Sequence, residues 1–338
     1  MRIDIIIPAY KAQDTIVRTL SSIALQTIKD DVDVTIVNDC DGVGYGKYVD
    51  MFKDELSIKE LTMKQNGGPG DCRQFGLDNT SNPLITFIDA DDVFSDPFAL
   101  DTLRESMLKD PVNSMVVGSF FEENGDNLMQ HSQDLVWMFG KMYKRDFITK
   151  HNIRFPKGLR ANEDMCFNKQ CLFYSNDNEK IAYVPNNTYY WMFRQDSITR
   201  ANNYEYHYSN CFTGMVDAWK YAITTCKANG GDLKRIRDFA IDNLGALYAY
   251  YIQIEQRRND LASNAWNKCV DYYLSIIKDY RNSITLDEFY STYEKHLKSV
   301  FVRGHMHKCL PNITFRQFIR DLDKELDKAY PDLGKVNK

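Results

Sequence analysis

Short apolar runs and amphipathic stretches alternate along the first 120 residues of the chain. The runs IDIIIPAY and VDVTIVND are mainly apolar, which is typical of strands buried in a sheet. Stretches such as TIVRTLSSIALQ follow them, with apolar residues near the spacing of one helix face. Strands that alternate with helices in this way predict a mostly parallel sheet with helices on both faces.

The pattern predicts five strands and four helices in this part of the chain. The strands are 3–10, 32–39, 58–64, 84–92 and 113–121, and the helices are 15–26, 45–56, 69–80 and one that begins at Asp96-Pro97. Asp14 is expected to cap the first helix, because aspartate accepts hydrogen bonds from the amides at a helix start. Pro69 is expected to open the third helix, since proline fits the first helical position.

The pattern changes after about residue 140. Segment 143–156 is mixed, 163–175 predicts a helix, and 180–185 and 188–193 predict strands. The chain then becomes helical, with predicted segments at 206–228, 233–257, 261–281, 286–299 and 314–329. We therefore expect two domains, residues 1–203 and 204–338. The apolar stripe of 233–257 is expected to pack inside the second domain rather than to lie on a membrane.

The composition indicates a soluble globular protein. The chain has 338 residues, of which 43% are hydrophobic and 26% charged, and its net charge is −5. The acidic excess lies in the first two thirds, which argues against broad binding of a phosphate backbone there. No apolar run approaches the length of a membrane span. The eight cysteines lack zinc-ligand spacing and are expected to be reduced thiols, which predicts a cytoplasmic location.

Three aspartates directly follow the apolar run LITFI. Asp89, Asp91 and Asp92 fall within four positions, where their charges repel one another. In α/β sheets, ligands bind beyond the carboxyl ends of strands. A divalent metal that takes oxygen ligands and bridges to a diphosphate would offset the repulsion. Turn and helix-cap roles are the ordinary alternative for aspartate, but the position at the ligand edge favours the metal.

A glycine-rich loop precedes the third predicted helix. Gly67, Gly68 and Gly70 in NGGPGDCRQFG permit close approach of the backbone, and a helix start directs amides at anions. Arg73 lies in the first turn and is in a position to reach a phosphate or a base. The spacing is neither G-x-G-x-x-G nor a Walker loop. A flexible turn with a surface arginine is the alternative.

Five motifs in order give the chain a family resemblance. They are IIIPAYKAQDTIVRTLSSIALQT, VTIVNDCDGVG, NGGPGDCRQFGLDNTSNPLITFIDADD, FGKMYKRDFITKHNIRFPKGLRANEDMCFN and YYWMFRQDSITR. Over roughly residues 1–200 the chain resembles family-2 glycosyltransferases, the inverting, nucleotide-sugar-dependent kind. The resemblance implies an α/β fold of GT-A type, with a Rossmann-like mixed sheet sandwiched by helices as catalytic domain 1–203. The α-helical domain 204–338 would then serve acceptor binding or oligomerisation.

The resemblance also implies a donor site. The residues that would hold the nucleotide-sugar are Pro8, Ala9, Tyr10, Asp39, Gly67, Arg73, Asp89, Ala90 and Arg194. Asp39 would accept a hydrogen bond from the nucleobase, and Asp89 would face the ribose. Asp91, together with Asp89, would bind Mn²⁺ or Mg²⁺. Asp92, the next residue of the motif, would have a supporting role.

The chain departs from the family pattern after the second strand. Where the family has Asp-Asp-Gly-Ser, this chain has NDCDG, so that Asn38 replaces a carboxylate and Cys40 replaces glycine, while Asp39 still aligns. In the last motif, Trp191 and Phe193 are candidates to pack under a sugar ring. Arg194 or Arg200 is a candidate to hold the diphosphate. An edge strand with surface arginines is the alternative.

The dipeptide Glu163-Asp164 opens a predicted helix. A carboxylate at that place is usually a cap or a partner of the helix dipole. The segment instead matches the family's acceptor motif, which implies that Asp164 is the catalytic base. Asp164 would deprotonate an acceptor hydroxyl during attack on the anomeric carbon. Glu163 is the alternative base, or a ligand of acceptor or donor hydroxyls.

The resemblance leaves the acceptor open. The leading hypothesis is a metal-dependent transfer of a sugar from a nucleotide diphosphate sugar to a hydroxyl of a surface glycan. UDP is the expected nucleotide, because it is the most common donor nucleotide in the family. A phage-type enzyme that glycosylates a hydroxymethylated pyrimidine in DNA is an alternative, and net acidity counts against it. A non-catalytic nucleotide-sugar-binding scaffold is an alternative from another class. Peripheral membrane association and an oligomer are both compatible with the sequence.

Overall fold

The structure is a computed structural model that describes residues 1–194, 212–302, 313–331 and 333. The chain divides into two compact units, Met1–Asn203 and Tyr204–Lys338.

The first unit contains a sheet of nine strands. They are β1 (Ile3–Ala9), β2 (Val32–Asn38), β3 (Ser57–Thr62), β4 (Leu84–Phe87), β5 (Val93–Phe94), β6 (Asn113–Asn124), β7 (Asn127–His131), β8 (Lys141–Lys144) and β9 (Lys180–Trp191). Its helices are α1 (Ile16–Ala24), α2 (Gly46–Phe52), α3 (Pro69–Asp78), α4 (Ala99–Lys109), α5 (Arg145–Lys150) and α6 (Glu163–Tyr174). A short 3₁₀ turn covers Lys29–Asp31.

The sheet is mixed. Its order is β3-β2-β1-β4-β8-β6-β9-β5, with β7 paired to β6. The strands β3, β2, β1 and β4 run parallel, and β6 runs parallel to β9. The pairs β4–β8, β6–β8, β6–β7 and β5–β9 are antiparallel. The mixed sheet implied by the resemblance is confirmed, whereas the mostly parallel sheet expected from periodicity is wrong in its second half.

The parallel half is built on buried strands. Ile3, Ile5 and Ile7 of β1 are fully buried, and they join one apolar core with Leu20 and Ile23 of α1. Such burial contributes roughly 1.5–3 kcal/mol for each large aliphatic side chain. Both faces of β1 are covered, which is why its apolar residues run almost without interruption.

Two predicted boundaries are wrong. The first helix has Thr15 as its N-cap, with no side-chain capping bond, so Asp14 is not the cap. The predicted strand 84–92 ends at Phe87, and a separate strand, β5, begins at Val93. Between them the chain turns, because the amide of Asp92 donates to the carbonyl of Asp89 at 3.1 Å. Because of this turn, the aspartates do not take part in the strand hydrogen bonds, and they lie together at the edge of the sheet.

The second unit is helical in its described part. Its helices are α7 (Gly214–Ala228), α8 (Leu233–Arg257), α9 (Asn259–Ser275), α10 (Leu286–Val302) and α11 (Phe315–Ala329). Short 3₁₀ turns cover Ile277–Asp279 and Arg281–Ser283. Asp232 caps α8 by accepting from the amides of Lys234 and Arg235. The helical C-terminal region predicted from the sequence pattern is confirmed.

Helix α8 is packed among the other helices of this unit. Ile236, Ala240, Leu244 and Leu247 of its apolar stripe are buried. Tyr248, also buried, meets rings of α10 and α11, with its centroid 5.4 Å from that of Phe315. Among the residues that the structure describes, none of the helices has the length and apolar character needed to cross a bilayer.

Candidate active site

The carboxyl ends of β1, β2 and β4 lie at one edge of the sheet because these strands are parallel. Asp39, directly after β2, is buried there. Its carboxylate accepts from the amides of Gly67 and Gly68 at 2.7 and 2.9 Å and from the side chain of Asn66 at 2.9 Å. Asp39 therefore ties the glycine loop to the end of β2. Gly68 has φ +87°, a conformation that glycine adopts without strain.

The end of β1 forms the other wall of this corner. The amide of Asp39 donates to the carbonyl of Ala9 at 2.9 Å, so that β1 and β2 stay paired to their ends. Ala9 is buried and Pro8 half-buried, whereas Tyr10 is 50% exposed. An exposed ring beside a buried carboxylate offers both a stacking face and an acceptor, the two features that a nucleobase needs.

Arg73 links two distant segments inside the protein. Its guanidinium donates to Asp89 at 2.7 Å and to Glu163 at 2.8 Å. The arginine side chain is only 4% exposed. Burial by itself lowers the pKa of Arg73, but the charges of Asp89 and Glu163 outweigh it and raise the pKa. Arg73 is thus a fixed cation between the end of β4 and the start of α6, not the surface arginine of the alternative interpretation.

Glycine at position 70 lets α3 and α6 approach each other. A Cβ atom placed on Gly70 would lie 2.9 Å from Cγ and 3.0 Å from Cβ of Glu163. Any larger residue at position 70 would therefore require Glu163 or α6 to shift. The N-cap of α6, Asn162, has φ +65°, so the chain turns sharply into α6 at this contact.

The two acids that open α6 differ in exposure. Glu163 is 5% exposed and paired with Arg73, whereas Asp164 is partly exposed. Burial raises the pKa of Asp164, and the charge of Glu163 raises it further. Burial also raises the pKa of Glu163, while Arg73 opposes that shift. Asp164 is therefore the acid with solvent access and elevated basicity.

The aspartates after β4 have different partners. Asp89 is held by Arg73, and Asp91 accepts from Arg194 at 3.0 Å. Arg18 donates to the backbone carbonyl of Asp91 at 2.6 Å. Burial raises the pKa of Asp91, and the charge of Asp89 adds to the shift. The loop therefore carries closely spaced negative charge that is only partly neutralised. Ala90, between them, is buried.

Asp92 fastens the end of β9 to this loop. The carboxylate is buried and accepts from the hydroxyl of Tyr189 at 2.6 Å and the amide of Met192 at 2.9 Å. The same tyrosine oxygen accepts from the amide of Asp89 at 3.2 Å. These bonds place Arg194 beside Asp91. Asp92 thus links the loop to the end of β9, which is consistent with the supporting role predicted for it.

The loop offers a divalent cation a small set of hard ligands. Across the described ranges, His, Cys, Asp and Glu do not form a group of three that would hold a metal by themselves. Mg²⁺ and Mn²⁺ sites that also bind phosphates commonly use only one or two carboxylates. Asp91 and Asp89 fit that chemistry because they are two closely spaced carboxylates, and burial together with the charge of Asp89 raises the pKa of Asp91. Their metal role stays a prediction.

The aromatic residues of the last motif have unequal surroundings. Trp191 packs against Trp137 and Phe139, with ring centroids 5.0 and 5.2 Å apart. Phe193 is 39% exposed. Arg200 lies outside the residues that the structure describes.

Sequence reasoning missed the partners that connect the site. Among them are Arg18 and Tyr189, along with the contact of Arg73 to Glu163, which lie 90 positions apart. The motifs marked Arg73, Arg194 and most of the acidic residues, but nothing local marks Arg18, Tyr189 or the pairing of Arg73 with Glu163.

Comparison with known proteins found a family model that matches part of the chain. Residues 4–162 match Glycosyl transferase family 2. The poly(ribitol-phosphate) beta-N-acetylglucosaminyltransferase TarS of Staphylococcus aureus is 25% identical over 211 residues, which cover 58% of this chain and 36% of TarS. The chain thus spans about a third of that relative's length.

Solved structures share the fold. Residues 1–349 of S. aureus TarS, in complex with UDP-GlcNAc, match with a TM-score of 0.66 and 16% identity, covering 88% of this chain and 92% of that one. The mannosyltransferase PcManGT of Pyrobaculum calidifontis, in complex with GDP-Man and Mn²⁺, matches with a TM-score of 0.52 and 12% identity, covering 99% and 88%. The predicted GT-A fold is confirmed.

Proposed function

We propose that the protein is an inverting, metal-dependent glycosyltransferase, because residues 4–162 match Glycosyl transferase family 2. The donor is a nucleoside diphosphate sugar, with uridine as the proposed nucleoside. The acceptor supplies a hydroxyl. The UDP-GlcNAc bound by TarS supports the choice of donor class.

The contact of Arg73 with both Asp89 and Glu163 carries this proposal. One buried side chain joins the end of β4 to the first turn of α6 through bonds of 2.7 and 2.8 Å. The carboxylates proposed for the donor side and Asp164 therefore share one site. A scaffold that only binds nucleotide-sugars has no need of a partly exposed acid with a raised pKa beside its ligand, whereas a transferase needs a base there.

Asp164 is the proposed base. Its carboxylate takes the proton of the acceptor hydroxyl while that oxygen forms a bond to the anomeric carbon. The bond between this carbon and the diphosphate oxygen breaks, and the diphosphate leaves with the electron pair. This single displacement inverts the anomeric centre. Glu163 is unsuited to the role because it is buried and bound to Arg73.

The other residues of the proposed site bind and orient the donor. Asp39 and Tyr10 are proposed to hold the base, and Arg194 the diphosphate. Asp91 and Asp89 would hold Mn²⁺ or Mg²⁺, which supplies positive charge for the departing diphosphate. The Mn²⁺ in PcManGT supports this choice of metal.

A surface glycan is the proposed acceptor. The activity in the name of TarS is directed at poly(ribitol-phosphate), a polymer rich in hydroxyls. That relationship favours a glycan over the DNA base considered from the sequence. We further propose a cytoplasmic location, and acceptor binding or oligomerisation as the role of the helical unit.

A donor screen tests the proposal. The full chain is mixed with Mn²⁺ and a panel of UDP-, GDP-, CDP- and dTDP-sugars, and thermal stability and release of nucleoside diphosphate are measured. One donor at 100 times its Kd is expected to add about 2.7 kcal/mol of apparent stability. Asp164→Asn serves as the control that binds donor without turnover. Absence of both stabilisation and release across the panel contradicts the function.

A further inference from the structure

Each carboxylate of the Asp89–Asp91 pair has its own arginine, and the two arginines are held very differently. Arg73, the partner of Asp89, is 4% exposed and also bound to Glu163. Arg194, the partner of Asp91, is 30% exposed, and the Asp91 side chain is 33% exposed. The first ion pair is part of the protein interior. The second faces solvent at the mouth of the site.

The position of Arg194 is prepared by backbone contacts rather than by the ion pair itself. The amide of Met192 donates to Asp92 at 2.9 Å, and the amide of Phe193 donates to Glu123 at 2.9 Å. The segment that carries Arg194 is therefore anchored before the guanidinium reaches Asp91. Loss of the Arg194–Asp91 bond leaves these two backbone anchors in place.

The charges around Asp91 make the Arg194–Asp91 bond exchangeable. A divalent cation on Asp91 and a guanidinium on the same carboxylate repel each other, and a partly exposed ion pair contributes little stability. The diphosphate of a nucleotide-sugar brings oxygen acceptors to the same place, and an arginine fork fits them well. Arg73 is less suited to bind the diphosphate, because its side chain is only 4% exposed and is already bound to Asp89 and Glu163.

We propose that Arg194 is the counter-ion of Asp91 before substrate binds, and that it exchanges this carboxylate for the donor diphosphate when a divalent metal occupies the aspartate pair. The inference rests on the proposed function and adds the order in which Arg194 changes its partner. Arg194 opposes metal binding to the substrate-free enzyme and favours binding of the metal together with the diphosphate. Metal and nucleotide thereby bind cooperatively.

The test measures Mn²⁺ and nucleotide binding to the full chain by calorimetry, without turnover. Arg194→Ala is expected to bind Mn²⁺ about 2- to 5-fold more tightly in the absence of nucleotide, because the competing ion pair is gone. With Mn²⁺ saturating, UDP is expected to bind on the order of ten-fold more weakly. The cooperativity between Mn²⁺ and UDP must fall by the same factor whichever ligand is titrated first.

Arg18→Ala is the matched control. Arg18 also contacts Asp91, but it donates to the backbone carbonyl at 2.6 Å and not to the carboxylate. The substitution removes one positive charge from the same corner and leaves the Arg194–Asp91 bond intact. Arg18→Ala is therefore expected to leave the Mn²⁺ affinity within about two-fold of wild type. Unchanged thermal unfolding establishes that both variants are folded.

The outcomes separate this inference from the function on which it rests. If Arg194→Ala binds Mn²⁺ no more tightly than Arg18→Ala, the exchange is wrong. Weaker Mn²⁺ binding by Arg194→Ala also overturns it, because Arg194 would then assist the metal. A wild-type protein that binds neither Mn²⁺ nor UDP, GDP, CDP or dTDP overturns the proposed function and the exchange together. Normal sugar transfer with unchanged cooperativity in Arg194→Ala removes only the exchange.

Discussion

At the scale of single residues, the neighbours Glu163 and Asp164 have different proposed roles, one structural and one catalytic. Arg73 holds the buried Glu163, and Asp164 remains partly exposed with a raised pKa. We expect Asp164→Asn to lower kcat by a factor on the order of 10²–10⁴, with donor affinity unchanged. Single-turnover transfer and donor Kd by calorimetry measure the two effects.

Glu163→Gln is the companion variant. It leaves Arg73 with one charged partner fewer, so a lower thermal stability is expected, because breaking a buried ion pair costs about 3–5 kcal/mol. Its rate at a temperature where it is folded should fall less than that of Asp164→Asn. A collapsed rate in Glu163→Gln with a near-normal rate in Asp164→Asn would assign the base to Glu163 instead.

The raised pKa of Asp164 predicts how rate and stability depend on pH. The base works only when it is ionised, so the rate is expected to rise with pH. The midpoint of this rise in the pH–rate profile is expected above the usual carboxyl pKa of about 3.9. In the folded state the group keeps its proton to higher pH than in the unfolded chain. Its contribution to stability is therefore present at low pH and lost as pH rises through the folded pKa.

Asp164→Asn should accordingly be more stable than wild type at alkaline pH. At acidic pH the difference in stability between the two proteins should be smaller. Thermal unfolding of both proteins across the pH range measures the difference. A stability difference that does not change with pH would contradict the raised pKa of Asp164.

The metal prediction also belongs to this scale. Asp91→Asn keeps the size of the side chain and an oxygen but removes the charge of the proposed ligand. We expect most activity to be lost, a folded protein, and suppression of wild-type turnover by EDTA that added Mn²⁺ restores. Full turnover of the chelated wild type would show that catalysis needs no metal.

At the scale of elements, the site depends on the close approach of α3 and α6. Gly70→Ala places a Cβ atom 2.9 Å from the side chain of Glu163. We expect a loss of about 1–3 kcal/mol in the free energy of unfolding and a lower kcat. Gly46→Ala in α2 is the control, because no atom lies within 4 Å of its added Cβ. Equal effects of the two substitutions in denaturant unfolding would mean that the helix contact is not tight.

At the scale of the whole molecule, all described residues of the proposed site lie in the first unit, which has its own apolar core. A protein comprising residues 1–203 is therefore expected to fold and to bind Mn²⁺ and nucleoside diphosphate with affinities near those of the full chain. Transfer to a polymeric acceptor should be impaired, if the helical unit binds the acceptor. Calorimetry and transfer assays compare the two proteins. Loss of nucleotide binding in the shorter protein would show that the helical unit contributes to the donor site.

The sequence by itself determined the features that depend on local order. Apolar periodicity located β1, β2 and the helices of the second unit, because burial on one or both faces leaves a regular pattern. The motifs located the acidic residues at the strand ends and at the start of α6. Proline and glycine located the start of α3, since they restrict or free the backbone at single positions.

Tertiary structure alone decided how these pieces meet. The short strands β7 and β8 give little periodic signal, and β8 reverses the direction of the sheet by pairing between β4 and β6. Arg73 reaches Glu163 across 90 positions and Arg194 reaches Asp91 across 103. Glu163 and Asp164 are adjacent in sequence, yet only packing against α3 makes one a buried partner and leaves the other accessible. Such contacts depend on which faces meet in the fold, and no local pattern records that.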